Sequence, residues 1–450
     1  MNTDNYQKII PQKEPDQLVK NAIWAYFILL IIEGALRKWF LPFLATPLLI
    51  VRDPLALGII FICWKRNLLS LDFYMISMVI LGVVSTITTL LFAHGNLQVA
   101  LYGGRALLLH WPLIFVIGKV FNRQDVITMG KVCLYMAIPM VILIGIQFYS
   151  PQSAWVNKGL NDEVEGGGFS GALGFFRPPG TFSFTNGNSL FFSLVACFVF
   201  YFWLNAKYIS KLVLILATAA LLIAIPLSIS RSLLFQVILS LFFTVIAVLY
   251  NPRYAVQMIK ISMMALIALM ILSNFPFFQV ATEAFTTRFE EADDTEGGIQ
   301  GTLGDRFIGD LGLAFTGATD QPYFGQGLGM GTNAGSKLMT GDREFLIAEG
   351  EWGRVIGEMG LVLGLALIVI RITFSIKLVL AAFRKLTEGD MLPLMLLSYG
   401  ILVLTQGGWA QPTPLGFHTV IAGLLLASLN HKKKEFVPVT LPALSNVQYC

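Results

Sequence analysis

Charge is what this sequence has least of. Asp, Glu, Lys and Arg make up 13% of its 450 residues, about half the share usual in soluble chains. That scarcity excludes an ordinary water-facing surface. The four cysteines, Cys63, Cys133, Cys197 and Cys450, are scattered, with no C-x-x-C spacing and no neighbouring histidine. Such spacing predicts neither a disulfide framework nor a metal site, and no cofactor is expected. A net charge of +4 supplies no basic stripe with interleaved aromatics, so nucleic-acid binding has no support. What is abundant is apolar: 56% of residues are hydrophobic and the mean hydropathy is +0.71. Apolar runs recur from Ala22 to Leu429, each about 20 residues long, enough to cross a hydrocarbon layer of ~30 Å. The pattern predicts an all-α integral membrane protein, a single polytopic domain over 1–450. The first run follows a polar stretch and lacks a small-residue cleavage site, so it reads as a retained helix.

Twelve spans are expected, near 22–40, 47–64, 72–92, 98–118, 127–149, 187–205, 210–228, 232–250, 260–280, 352–374, 391–405 and 415–430. Alternate connections carry Lys65 and Arg66, Lys119 and Arg123, Lys207 and Lys211, Arg253, then Arg371, Lys377, Arg384 and Lys385. By the positive-inside rule these face the cytoplasm, and so do both termini, including the 431–450 tail. The opposite face then holds two long segments, an outer loop at 150–186 and a larger one at 281–350. Positive charge there is mostly arginine, including Arg37, Arg52, Arg177, Arg231, Arg288, Arg306, Arg343 and Arg354. Topology needs only positive charge, whereas the guanidinium fork suits carboxylate or phosphate oxygens. An anionic ligand on the outer face is the inference, weighed evenly against arginines that pair with nearby acids or headgroups.

Individual constellations sort by whether a partner is at hand. Glu33 and Arg37 stand at i and i+4 and can pair on one helix face, and Arg52 and Asp53 precede Pro54 at a helix entrance; both read as structural. Arg105 lies inside an apolar run with His110 five residues on, where a charge is either functional or paired. Arg177, in FFRPPGTFSFTNGNSLFF, has no acid near it in sequence after Glu165. Asn186 and Asn188 in the same stretch suit ligand contacts or helix caps. Arg231 sits between Ser230 and Ser232 at an outer turn. EEADDTEGG, from Glu290, reads as solvated mobile chain. Glycines 325, 327, 329, 331 and 335 give either a flexible loop or backbone amides free to approach phosphate. In GDREFLIAEGEWGR, Glu351, Arg354 and, further on, Glu358 recur at i, i+3 and i+7, an acid–arginine–acid ladder on one helix face. Glu349, one step earlier, has no obligatory partner and is the candidate general base.

Taken in order, these motifs resemble the O-antigen ligase and polymerase superfamily of membrane glycan transferases. Arg177-Pro-Pro-Gly-Thr-Phe with Thr185-Asn186-Gly187-Asn188 looks like its arginine–glycine–asparagine stretch, and Ser230-Arg231-Ser232 like its helix-end Ser-Arg motif. Gly304-Asp305-Arg306, Pro322, Gly325 and Gly327-Leu328-Gly329 are similar to its large periplasmic loop, and Glu358-Met359-Gly360-Leu361 to the helix after it. The pattern departs where the ligases place a His-Asn pair, which here is Glu349-Gly350.

The resemblance implies a type C glycosyltransferase-like architecture in the bacterial inner membrane. It implies metal-independent transfer or polymerisation of glycan from an undecaprenyl-diphosphate-linked oligosaccharide to an acceptor glycan or glycolipid hydroxyl at the periplasmic face. Arg231 and Arg306 would hold the diphosphate, Arg177 would help bind it, and Glu349 would position or deprotonate the acceptor; Asn188 and, from the residue reading rather than the resemblance, Arg105 and Arg354 of the otherwise structural ladder are the further candidates for substrate binding. Two other classes stay open: a transporter or flippase of an anionic lipid or saccharide, and an inactive assembly protein. No repeat of the kind that marks many transporters is visible between the halves.

Overall fold

The computed structural model describes residues 17–69, 71–160, 169–296, 322–341, 347–348 and 350–430. Their architecture is helical; the sheet among them is one antiparallel pair of two-residue strands, β1 (Phe169–Ser170) and β2 (Phe176–Arg177). Among the described residues nine helices are long and apolar enough to cross a membrane. A tenth span arises if Pro42–Leu48 and Arg52–Lys65, bent by 41°, count as one; Lys211–Leu227 and Leu392–Gln406 are apolar but shorter. The protein is a multi-pass α-helical membrane protein.

In chain order the first half runs α1 (Gln17–Ala35), α2 (Ala45–Leu48), α3 (Arg52–Lys65), α4 (Phe73–Phe92), α5 (Leu97–Arg105), α6 (Trp111–Val120) and α7 (Arg123–Tyr149). The starts are set by local chemistry. Asp72 caps α4, Asn96 caps α5, and Asn122 and Asp125 close a capping box on α7. A π-turn at Ala106–His110 joins α5 to α6, so that Leu97–Val120 forms one continuous span.

After the strands come α8 (Thr185–Leu204), α9 (Lys211–Leu227), α10 (Arg231–Tyr250), α11 (Ala255–Leu272), α12 (Pro276–Glu296), α13 (Asn333–Thr340), α14 (Glu351–Thr387), α15 (Leu392–Gln406) and α16 (Pro412–Leu429). Burial separates centre from rim. In the apolar stretch of Thr185–Leu204, 83% is buried, against 0% in Pro252–Leu272, so α8 is central and α11 faces outward along its length. The ninth expected crossing, 260–280, therefore sits earlier, at Pro252–Leu272. The acidic run expected as mobile chain continues α12 as helix to Glu296.

The largest departure from expectation is in α14. A straight helix would separate residues 351 and 371 by about 30 Å, yet the Arg371 guanidinium lies 2.7 Å from the Glu351 carboxylate. Gly360 explains the contact: at φ 76°, ψ 171° it occupies backbone space essentially reserved for glycine, and the chain doubles back there. Residues 351–359 thus form the short arm of a hairpin, and 361–387 the long span. The tenth crossing, expected at 352–374, is that long arm. Arg371, expected at the cytoplasmic end, is buried in the bundle, held by Glu351 and by the Leu404 and Gly407 carbonyls.

Candidate functional site

The short arm is fixed from behind by the glycine-rich loop. Amides of Gln326 and Gly327 donate to the Gly357 and Glu358 carbonyls, that of Leu328 to Thr89 Oγ1, and that of Gly331 to Glu358 Oε1 at 2.9 Å. A Cβ on Gly325 would collide with the backbone of Glu358 and Gly360, so the glycines serve close packing. Four of these amides are spent inside the protein. Of the two readings open for this loop, a phosphate cradle and a flexible connection, neither describes it.

On that arm the acid–arginine–acid ladder forms as the spacing predicts. Arg354 reaches Glu351 at 3.0 Å and Glu358 at 2.5 Å. Glu351 also accepts from Arg371 at 2.7 Å and from the Trp409 amide at 3.3 Å. Glu351 and Arg354, but not Glu358, form part of the wall of a cavity of about 830 Å³, within the size range of ligand sites. Around it stand Asn186, Ser189 and Ser193 from α8, Ser232 and Gln236 from α10, Tyr399 and Gln406 from α15, Gln411 from the following turn, and His418 from α16. Leu190, Leu402, Val403 and Pro414 complete a lining of mixed polar and apolar side chains, at the end of the bundle where these helices start or stop.

Arg177 also lines this cavity. Its Nε is buried and has no hydrogen-bond partner among the described residues. Burial, and then the charges of Arg288 and Arg231, push its guanidinium below the usual arginine range. The strand pair explains its position, because Phe169 pairs with Arg177 and holds it beside the start of α8 and α10. Arginine stays cationic at any physiological pH. Arg177 therefore brings a lasting positive charge to the cavity lining, with the guanidinium groups of Arg231 and Arg288 within electrostatic reach and Arg288 itself 3.6 Å from Glu291.

The structure brings some expected residues together and separates others. Arg177 and Arg354 share the cavity lining, and Arg231 begins α10 between two serines that line it. Ser230 is the N-cap of α10 and accepts from Ser189 Oγ at 2.9 Å, so half of that Ser-Arg motif is helix architecture. Asn188 is fully buried with neither amide atom bonded, and it is absent from the lining; Asn186 takes that place, bonded to Gln411. Neither asparagine caps α8, whose N-cap position is Phe184. Arg105 also lies off the lining. It pairs with Asp53 at 3.1 Å and stacks on the Tyr102 ring. Glu349 and Arg306 lie outside the described residues.

Away from the cavity, buried arginines are paired. Arg52 bonds Glu33 at 3.0 Å, Arg37 lies 3.5 Å from the same carboxylate, and Asp53 accepts from Arg105 and meets His110 at 2.9 Å. The expected Glu33–Arg37 pair forms, while Arg52 and Asp53, adjacent in sequence, serve different partners. Sequence reading did not single out His418 or the interior place of Arg371. A lone histidine inside a predicted span was the available signal for the first; nothing local marked the second. Among the described residues no three His, Cys, Asp or Glu side chains converge as a metal site would need.

No protein-family model and no curated protein matches the chain. Fold and site together define a multi-pass helical membrane protein with a cavity at one end of the bundle, lined by Arg177 and Arg354 among polar and apolar side chains.

Proposed function

We propose that the protein transfers or polymerises glycan from an undecaprenyl-diphosphate-linked oligosaccharide to an acceptor sugar hydroxyl at the periplasmic face of the bacterial inner membrane. One observation carries this: the unpartnered, buried Nε of Arg177 on a cavity of about 830 Å³, with Arg231 and Arg288 within charge reach. A diphosphate answers such a wall. As the glycosidic bond breaks, charge builds on the leaving diphosphate, and preorganised guanidinium groups stabilise it without reorganising. The hydroxyl and amide side chains around the rest of the cavity suit a saccharide. Glu349, as the group that positions or deprotonates the acceptor, and Arg306, as a donor-binding group, remain part of the proposal through the resemblance alone.

Twelve crossings complete the arrangement, if the bent pair and the two shorter apolar helices join the nine long ones. Both termini are then cytoplasmic, and the lysine-bearing turns share that side. The 281–350 segment, which includes most of α12 and the glycine-rich loop, becomes periplasmic.

The test is release of undecaprenyl diphosphate from a native lipid-linked oligosaccharide extract by purified protein in nanodiscs. Release that falls with Arg306→Ala and with Arg177→Ala supports transfer, and loss with Glu349→Gln supports a role for that carboxylate. Tight donor binding without release, where a reference transferase works on the same extract, favours transport or an inactive assembly role.

A further inference from the structure

A transfer to a hydroxyl needs a group that takes the hydroxyl proton, and among the described residues the cavity offers few. The ionisable side chains on its lining are Arg177, Glu351, Arg354, Tyr399 and His418. The two arginines are permanently protonated, and a phenol in its ordinary state is a donor. Glu351 is a carboxylate, but Arg354, Arg371 and the Trp409 amide already occupy its oxygens. His418 differs from all of these. It is 3% exposed, Nδ1 is buried without a hydrogen-bond partner, and no hydrogen bond from a described residue reaches either ring nitrogen. The other two buried or half-buried histidines are bonded on both nitrogens: His110 to Tyr26 and Asp53, His94 to the Asn96 amide and the Leu328 carbonyl.

The ring's place is also well fixed. Trp409 lies beside it with ring centroids 5.7 Å apart, and a Cβ on Gly407 would strike its Cε1. Such packing costs a buried imidazole its water and gives it no protein partner in return, an arrangement that is unfavourable unless something else in the cavity bonds to it.

Resting on the transferase proposal, we infer that His418 is the proton acceptor for the acceptor-sugar hydroxyl, which leaves Glu349 the task of positioning that sugar. The hydroxyl oxygen bonds to the anomeric carbon of the donor. The bond from that carbon to the phosphate oxygen breaks, and its electron pair leaves on the diphosphate facing Arg177. The hydroxyl proton passes to the imidazole nitrogen that carries none, and solvent later removes it. The cavity is then divided by chemistry, with arginine at the leaving-group wall and imidazole on the α16 side.

The experiment compares wild type, His418→Ala, His418→Gln and Arg177→Ala for undecaprenyl diphosphate release in nanodiscs, with the same native extract supplying donor and acceptor. The expected result is a fall in kcat of about 100-fold or more for both His418 variants, with donor KM changed by less than about threefold. Added imidazole should restore part of the rate to the Ala variant and none to the Gln variant. Rates within about threefold of wild type, or a loss seen only in KM, overturn the assignment to His418 while the Arg177 dependence still upholds transfer. No release by wild type, with a reference transferase active on the extract, overturns both. If neither variant elutes as folded protein, carbethoxylation of wild type mapped by mass spectrometry decides: release lost in step with modification of His418 supports the role, and full release after modification overturns it.

Discussion

The buried arginines near Glu33 and Asp53 and the half-buried Arg177 at the cavity have opposite surroundings. Around Glu33 and Asp53, every guanidinium has a carboxylate: Arg37 and Arg52 share Glu33, and Arg105 takes Asp53. Around Arg177, the charges that act on it among the described residues are two more arginines. Removing charge from water is costly, and the first group recovers that cost within the chain. Arg177, whose buried Nε has no hydrogen-bond partner among the described residues, does not, and it borders a cavity. The contrast teaches which arginines build the protein and which await a ligand, a distinction that arginine count alone does not make.

The comparison breaks most sharply if a paired residue proves dispensable. Glu33→Ala leaves Arg37 and Arg52 without their carboxylate in a buried setting and is expected to cost about 3–5 kcal/mol, read as a fall in thermal stability in detergent or loss of folded protein. Near-wild-type stability would show that the first group is not structural. Arg177→Ala should do the reverse, leaving stability at or above wild type while weakening donor binding by roughly 30-fold or more. A drop in stability with unchanged binding would move Arg177 into the structural group.

Gly360→Ala sharpens the comparison from another side. The short arm that carries Glu351 and Arg354 depends on the reversal at Gly360; a side chain there costs about 1–3 kcal/mol in backbone strain, and its Cβ would also collide with the backbone of Tyr323 and Gly325. Thermal stability should fall by at least that amount, with donor binding reduced because the cavity wall shifts. The smallest effect belongs to an exposed pair. Lys377 and Asp72 approach at 3.1 Å with the lysine half-exposed, and Lys377→Ala should change stability by no more than about 0.5 kcal/mol.

The apolar runs made the bundle legible in the sequence, because twenty-residue hydrophobic stretches have few other uses. The Glu351–Arg354–Glu358 ladder was legible too, since its i, i+3, i+7 spacing survives in any helix. The hairpin was not. EMGLVLG reads as uninterrupted helix, and glycine is common enough in membrane spans that Gly360 alone does not announce a reversal. That one turn also hid the place of Arg371, which a straight helix puts about 30 Å from Glu351, toward the cytoplasmic end. Asn188 and Arg105 carried ligand-binding chemistry in their residue types, but which buried polar group faces a cavity is decided by packing between helices distant in sequence. His418 was hidden for the same reason, as a single polar letter in an apolar run.

Titration of the lipid-linked oligosaccharide against wild type, Arg177→Ala and Lys377→Ala in nanodiscs tests the central claim most directly. A cavity lined by Arg177 and Arg354 predicts that Arg177→Ala loses most of its affinity while Lys377→Ala binds as wild type does. Equal affinity across all three would contradict it.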